Sequence, residues 1–327
     1  MAMLKSCPAY APTPLLDMAS LAASCGVGAL YVKDESKRMR LGSFKALGGA
    51  FAVAQMVADR SGEADPTADT AKTVAAGMTF ITASAGNHGL SIAAGARVFG
   101  AHAVIVLSSF VPEGFAARIR AMGAEVVHVN GTYEDSVTHA VSAADANDWM
   151  LLADGSWEGY VDRPALVMEG YTVLAEECCL EFAARGFWPS HVFLQAGVGG
   201  LAAAAAAHIR VHWPEQPEII VVEPDVAPCL VESVKAHKIT RVEGPLSNMG
   251  RLDCKDASLI AYSSLKDDAD IFMTISDDDA SAAASMLTKA DLGTTPSGAA
   301  SLAAMKKMAP GTGSRCLVIL TEGLEAG

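Results

Sequence analysis

The sequence predicts a two-lobed α/β fold from three observations. Short, continuous apolar runs recur along the chain, alanine-rich helical stretches separate them, and 327 residues exceed one typical domain. The runs are Leu30 to Val32, Thr79 to Thr82, Ala103 to Leu107, Glu125 to Val129, His191 to Leu194, Ile219 to Val222 and Cys316 to Leu320. They do not alternate apolar with polar residues, so each reads as a strand covered on both faces. Helices between such strands favour parallel pairing through right-handed crossovers. Taken in order, a helix-compatible stretch follows Lys45, and the polar run Arg60 to Lys72, with Gly62 and Pro66, reads as an exposed loop. Leu90 to Phe99, Ala140 to Trp149 and Leu201 to Trp213 read as helices, and Leu151 to Asp154 as the return between lobes. The division expected is a large lobe of residues 1–74 and 156–327, with a small inserted lobe of 75–155.

Composition narrows the partners. Hydrophobic residues make up 51% of the chain against 19% charged, which supplies material for buried cores. A net charge of -13, with none of the 24 basic residues in a run, argues against binding nucleic acid or an anionic membrane. Small molecules or other subunits remain, with a homodimer the default assembly. Seven cysteines without a Cys-x-x-Cys spacing give neither a disulfide framework nor a zinc signature, which fits a reducing cytosol. The opening residues show no apolar leader, and the run Ala202 to Ala207 is far too short to span a bilayer. A cytoplasmic protein is expected. The acidic run Asp277-Asp278-Asp279 follows Ser276 and precedes an alanine-rich stretch, so it reads as a helix start complementing the dipole, and no dedicated metal site is expected.

Three segments carry chemistry. Lys45 lies in Leu41-Gly42-Ser43-Phe44-Lys45-Ala46-Leu47-Gly48-Gly49. A lysine opening a helix among glycine and apolar residues is desolvated, which favours a neutral nucleophilic amine able to form an imine with an aldehyde. The bland alternative is a lysine that snorkels beside a turn. The second segment, Thr82 to Gly89, joins a strand to a helix and contains Ser84, Ala85, Gly86, Asn87 and His88. Unpaired N–H groups with the Ser84 hydroxyl and Asn87 amide make a cradle for a carboxylate, or else a capping turn. The third, Leu194 to Leu201, places Gly197, Val198, Gly199 and Gly200 before a helix, a cup for phosphate. Its formal rival is a dinucleotide site in which Glu223 would bind a ribose, making the protein a nicotinamide-dependent oxidoreductase.

In this order the segments resemble the pyridoxal-phosphate enzymes of the tryptophan-synthase-like fold (fold type II). The resemblance runs from Lys33 to Gly323. It implies that Lys45 carries pyridoxal 5'-phosphate, that Asn87 bonds the ring oxygen, that Gly197, Val198, Gly199, Gly200 and Leu201 hold the phosphate, and that Thr321 faces the ring nitrogen. Within that group the chain is similar to the diaminopropionate ammonia-lyase family. The likeness lies in Lys33-Asp34-Glu35-Ser36, Asp154-Gly155-Ser156-Trp157-Glu158-Gly159-Tyr160 and Met168-Glu169-Gly170-Tyr171. It implies a catalytic or substrate-binding role for Asp154, substrate contacts for residues 84–88, and elimination of ammonia from a β-substituted amino acid to give a 2-oxo acid. Ala85 departs from that family, which has an acid there, and favours a β-hydroxyamino-acid dehydratase instead. A non-catalytic cofactor-binding protein is the third alternative.

Overall fold

Ten strands form two sheets in the computed structural model, which describes residues 2–84, 86–109, 111 and 113–324. They are β1 (Leu15–Asp17), β2 (Ala29–Asp34), β3 (Thr79–Ala83), β4 (His102–Ser108), β5 (Glu125–Val129), β6 (Met150–Leu151), β7 (His191–Gln195), β8 (Glu218–Pro224), β9 (Ile271–Ile275) and β10 (Arg315–Leu320). The six-stranded sheet runs β1-β2-β10-β7-β8-β9 and the four-stranded sheet β5-β4-β3-β6. Every pairing is parallel except β1 with β2. Every apolar run that the sequence offers as a strand lies in one, and the class is α/β as predicted.

The continuous runs are explained by cover on both faces. In the larger sheet, Leu30, Val32, Phe193, Ile220, Val222, Val318 and Leu320 meet the helices Asp277–Lys289 and Pro296–Met308. Their neighbours Tyr31, Val192, Leu194, Ile219, Val221, Leu317 and Ile319 join the opposite core, with the helices Lys45–Ser61, Asp162–Arg185 and Gly200–His212. Side chains alternate between faces, so only a strand apolar at every position can fill both layers.

Three features depart from the sequence reading. β1 and β6 have three and two residues and offer no periodicity to read. β9 is an edge strand whose residues are mostly half-buried. The stretch Arg60 to Lys72 is not one loop: the helix from Lys45 continues to Ser61 and ends at Gly62 in the left-handed region (φ 71°), and another helix starts at Asp69. Only residues 62–68 connect them. Ser276 caps its helix through Asp279, and the Asp279 side chain accepts from the Ser276 N–H, as the dipole reading of the acidic run requires.

The helix Lys45–Ser61, here the lysine helix, packs on the helix Asn87–Phe99 on one side and on Asp162–Arg185 on the other. Gly48 makes room for the Tyr171 ring and Gly49 for Ser91; a Cβ at either position would overlap those side chains. The position of Lys45 is thereby fixed from both sides.

The sheet edge near the chain start is secured by a buried ionic cluster. Lys33 Nζ donates to Glu177 Oε2 at 2.6 Å, and Arg38 donates to Glu35 and to both Glu177 oxygens at 2.6–2.8 Å. Tyr10 Oη and Thr13 N donate to the same Glu177 carboxylate, which fastens the N-terminal arm. Lys33 and Glu35, two residues of the family-like motif, are therefore structural. Burial resists ionisation of Glu177, but Arg38 and Lys33 hold its carboxyl below the usual range. Removing one partner of a buried ion pair strands the other charge. Glu177→Gln is expected to lower unfolding stability by about 3–5 kcal/mol, read from urea denaturation at neutral pH.

Candidate active site

The C-terminal ends of the central strands converge on one place. Lys45 opens the lysine helix beside the end of β10: Phe44 N donates to Thr321 O at 3.0 Å, and Ser43 bridges to Glu322. Lys45 Nζ donates to Asp154 Oδ2, which follows β6 at the rim of the other sheet. Burial works against a charged Lys45, yet the Asp154 carboxylate beside it outweighs burial and lifts the amine above the ordinary lysine range. The same pairing holds the Asp154 carboxyl well below the ordinary aspartate range, against its own burial. The expectation of a neutral amine is thus corrected. Sequence reasoning allowed for desolvation and could not see a carboxylate 109 residues away.

Asp154 is held by the turn after it. Trp157 and Tyr160 stack with centroids 4.4 Å apart, and the Tyr160 hydroxyl accepts from Ala153 N at 3.0 Å and donates to Leu151 O at 2.9 Å. Ser156 is tied to Ser258 by hydroxyl contact at 2.7 Å. The aromatic turn is both a scaffold and the support of a site carboxylate.

Asn87 begins its helix and donates through Nδ2 to Glu322 Oε2 at 2.6 Å. Ser84 is buried and its oxygen accepts from Gly86 N and Gly89 N at 3.1 and 2.9 Å, so this hydroxyl shapes the loop. Gly86 lies against the Arg251 guanidinium. His88 is buried with Nε2 on Leu152 O at 2.8 Å, and burial lowers its pKa, so it is a neutral brace between loop and return segment. Ala85 lies outside the described residues.

The glycine loop leaves β7 and enters the helix Gly200–His212. A Cβ at Gly197 would stand 2.9 Å from Cys254 Sγ, and one at Gly199 (φ 100°) 3.0 Å from Ala261 and Leu230. Gly200 differs: its Cβ would meet Met168 Cγ at 3.6 Å, Tyr171 Cε2 at 3.7 Å and Asp154 O at 3.8 Å, ordinary contact distances. Glycine there leaves open the space in front of a helix start whose first N–H groups have no intrahelical partner. Thr321 is buried at the end of β10, and Gln195 Nε2 donates to its Oγ1 at 3.3 Å.

A family model for pyridoxal-phosphate-dependent enzymes matches residues 7–322. The chain belongs to this family. Diaminopropionate ammonia-lyase of Escherichia coli strain K12 is 35% identical over 277 residues, 82% of this chain and 69% of that protein. The solved structure of the Escherichia coli enzyme in complex with an aminoacrylate-PLP azomethine reaction intermediate superposes with a TM-score of 0.87 at 31% identity, covering 98% of this chain and 87% of that one. A probable D-serine dehydratase of Acidovorax sp. strain JS42 is 29% identical over 246 residues, 68% of this chain and 53% of that protein.

Pyridoxal phosphate is the cofactor of this pyridoxal-phosphate enzyme, and the residues present fit it. A primary amine, a helix start cleared by Gly200 and a buried hydroxyl at Thr321 supply a covalent anchor, a dianion cradle and a ring contact. The nicotinamide alternative fails on the placement of Glu223. That carboxylate is fully buried and accepts from Leu230 N and Val231 N at 2.8 and 2.7 Å, capping the helix Cys229–Ala236 where no ribose can reach. Cys229 lies between them, its thiol 3.4 Å from Glu223 and 3.6 Å from Gly197 O.

Glu322, Cys254 and Tyr171 also stand at the site and were assigned no role from sequence, although Tyr171 lies in the Met168 to Tyr171 likeness. The acid immediately after Thr321 is the one local signal, for Glu322. Cys254 carries none.

Burial pushes the Glu223 carboxyl up to about 7, against the N–H bonds that favour its charge. The unfolded chain releases this proton near pH 4.5, so stability falls as pH rises from there to about 7 and levels off above, by at most ~3 kcal/mol. Glu223→Gln is expected to flatten that slope in urea denaturation across pH 4.5–7.5.

Proposed function

We propose that the protein is a lyase that eliminates ammonia from 2,3-diaminopropionate, or a related β-substituted amino acid, to give a 2-oxo acid. The observation that carries this reading is the facing pair of Lys45 amine and Asp154 carboxylate beside the glycine loop. The diaminopropionate ammonia-lyase relatives support it.

When bound, pyridoxal phosphate supplies an aldehyde for amino groups and an electron sink for the pair left by a broken Cα–H bond. Lys45 would hold it, Gly197, Val198, Gly199, Gly200 and Leu201 would bind its phosphate, Asn87 would bond its ring oxygen and Thr321 its ring nitrogen. Gln195 donates to Thr321 Oγ1, so the Thr321 hydroxyl keeps its own hydrogen as a neutral donor. A neutral donor leaves the ring nitrogen without a full positive charge, which favours loss of a β-substituent over reprotonation. The segment 84–88 would contact the substrate carboxylate, through the N–H groups at the start of the helix Asn87–Phe99. With the cofactor joined to substrate, Lys45 Nζ would be a free base able to take the α-proton. Asp154 then faces the substrate without its lysine partner; it binds the β-ammonium group and shares the proton traffic at Oδ2. The small lobe of 75–155 supplies the asparagine loop, the large lobe the phosphate loop, and we take the enzyme to be a cytoplasmic homodimer, consistent with seven free cysteines.

A second reading, elimination of water from a β-hydroxyamino acid, is favoured by one specific observation, the absence of an acid at Ala85, and by the D-serine dehydratase relative. Ammonia release from 2,3-diaminopropionate and from serine, each as both stereoisomers, separates the two: faster turnover of serine would replace the first reading by the second.

Borohydride reduction of the coloured holoenzyme followed by peptide mapping is expected to mark Lys45, and Lys45→Ala is expected to abolish the mark and turnover. Asp154→Asn is expected to lower kcat/KM for diaminopropionate at least 100-fold with the cofactor still bound. Unchanged turnover would remove Asp154 from the mechanism.

A further inference from the structure

The Tyr171 hydroxyl is buried, and among the described residues its hydrogen has no acceptor, since the group beside it, the Lys45 amine, can only donate to its oxygen. Tyr171 is only 1% exposed, in the middle of the helix Asp162–Arg185. Its ring is wedged between the two parts of the site. One edge lies on Gly48, three residues after Lys45, and the other faces the place where a Cβ of Gly200 would be, 3.7 Å from Cε2. The ring packs edge-on against Phe44 with centroids 4.9 Å apart, and Lys45 Nζ stands 5.7 Å from its centroid. Packing alone does not explain the oxygen. Phenylalanine would fill the same space, and an unsatisfied buried hydroxyl is destabilising.

The chemistry of the neighbours identifies the missing partner. A phenol is foremost a donor, and the charged Lys45 amine beside it has no lone pair to offer. The free N–H groups at the start of Gly200–His212 are donors as well. Three donor groups of separate origin therefore surround one space, and what completes them is an anion with several acceptor oxygens. We propose that the Tyr171 hydroxyl donates to the phosphate group of pyridoxal phosphate and is a cofactor-binding residue supplied by the helix opposite the glycine loop. The inference rests on the cofactor placement given under Proposed function. Burial pushes the phenol up to about 12, so it keeps its proton at every pH at which the enzyme is used.

The test compares Tyr171→Phe with the wild type in the full chain, stripped of cofactor and reconstituted. Equilibrium binding is followed by absorbance with two probes, pyridoxal phosphate and pyridoxal, which lacks the phosphate. The variant is expected to bind pyridoxal phosphate at least tenfold more weakly and pyridoxal within twofold of wild type, because a hydrogen bond to a charged acceptor has been lost. The cofactor-free variant is expected to melt at the same temperature as wild type or higher, because an unsatisfied buried group has been removed. Equal weakening for both probes, no weakening for either, or a cofactor-free variant that does not fold overturns the proposal. Wild type that forms no borohydride-stable adduct at Lys45 overturns the underlying placement, and this inference with it; an intact adduct with any of the preceding results overturns this inference alone.

Discussion

The attraction between one amine and one carboxylate organises this molecule. Lys45 and Asp154 come from the two sheets, and neither belongs in a desolvated cleft alone. Together each stabilises the charge of the other, which shifts their proton affinities in opposite directions. The pair also sets the chemistry available. Under the function proposed here, an amine that leaves its carboxylate to bind an aldehyde would expose a negative oxygen where a substrate ammonium can take its place.

Around that pair, the fold supplies donors from strand ends and helix starts. β7 and β10 are neighbours in the sheet, so the glycine loop and Thr321 leave it side by side, and Phe44 N bonds Thr321 O next to Lys45. The return from β6 brings Asp154, and the helix beginning at Asn87 brings its amide to Glu322. Parallel strands make this possible, because their C-terminal ends lie at one rim and the connecting helices start there.

The seven strands legible in the sequence were those apolar at every position, because two covered faces leave no polar register. β1, β6 and β9 were not legible, being too short or lying at an edge. Asn87 and the glycine loop stood out because each sits at a junction between strand and helix with a distinctive local composition, Lys45 because it opens a helix among glycine and apolar residues, and Thr321 only through the family resemblance. Glu223 kept a rival open for a physical reason: an acid at the end of a strand after a glycine loop has the same spacing whether it meets a ribose or caps the next helix. Tyr171 belongs to a segment that carries the family likeness but had no role assigned to it; only its position between Gly48 and Gly200 suggests one. The raised proton affinity of Lys45 depends on a partner far away in sequence, which no local pattern encodes.

The snug seating of Gly48 and Gly49 has a mechanical consequence. Contacts this close leave no slack for the lysine helix to slide along either neighbour, since even a small axial shift would drive backbone into the Tyr171 ring or Ser91. A side chain added at either position would push the lysine helix off its neighbours and carry the amine at its tip out of place.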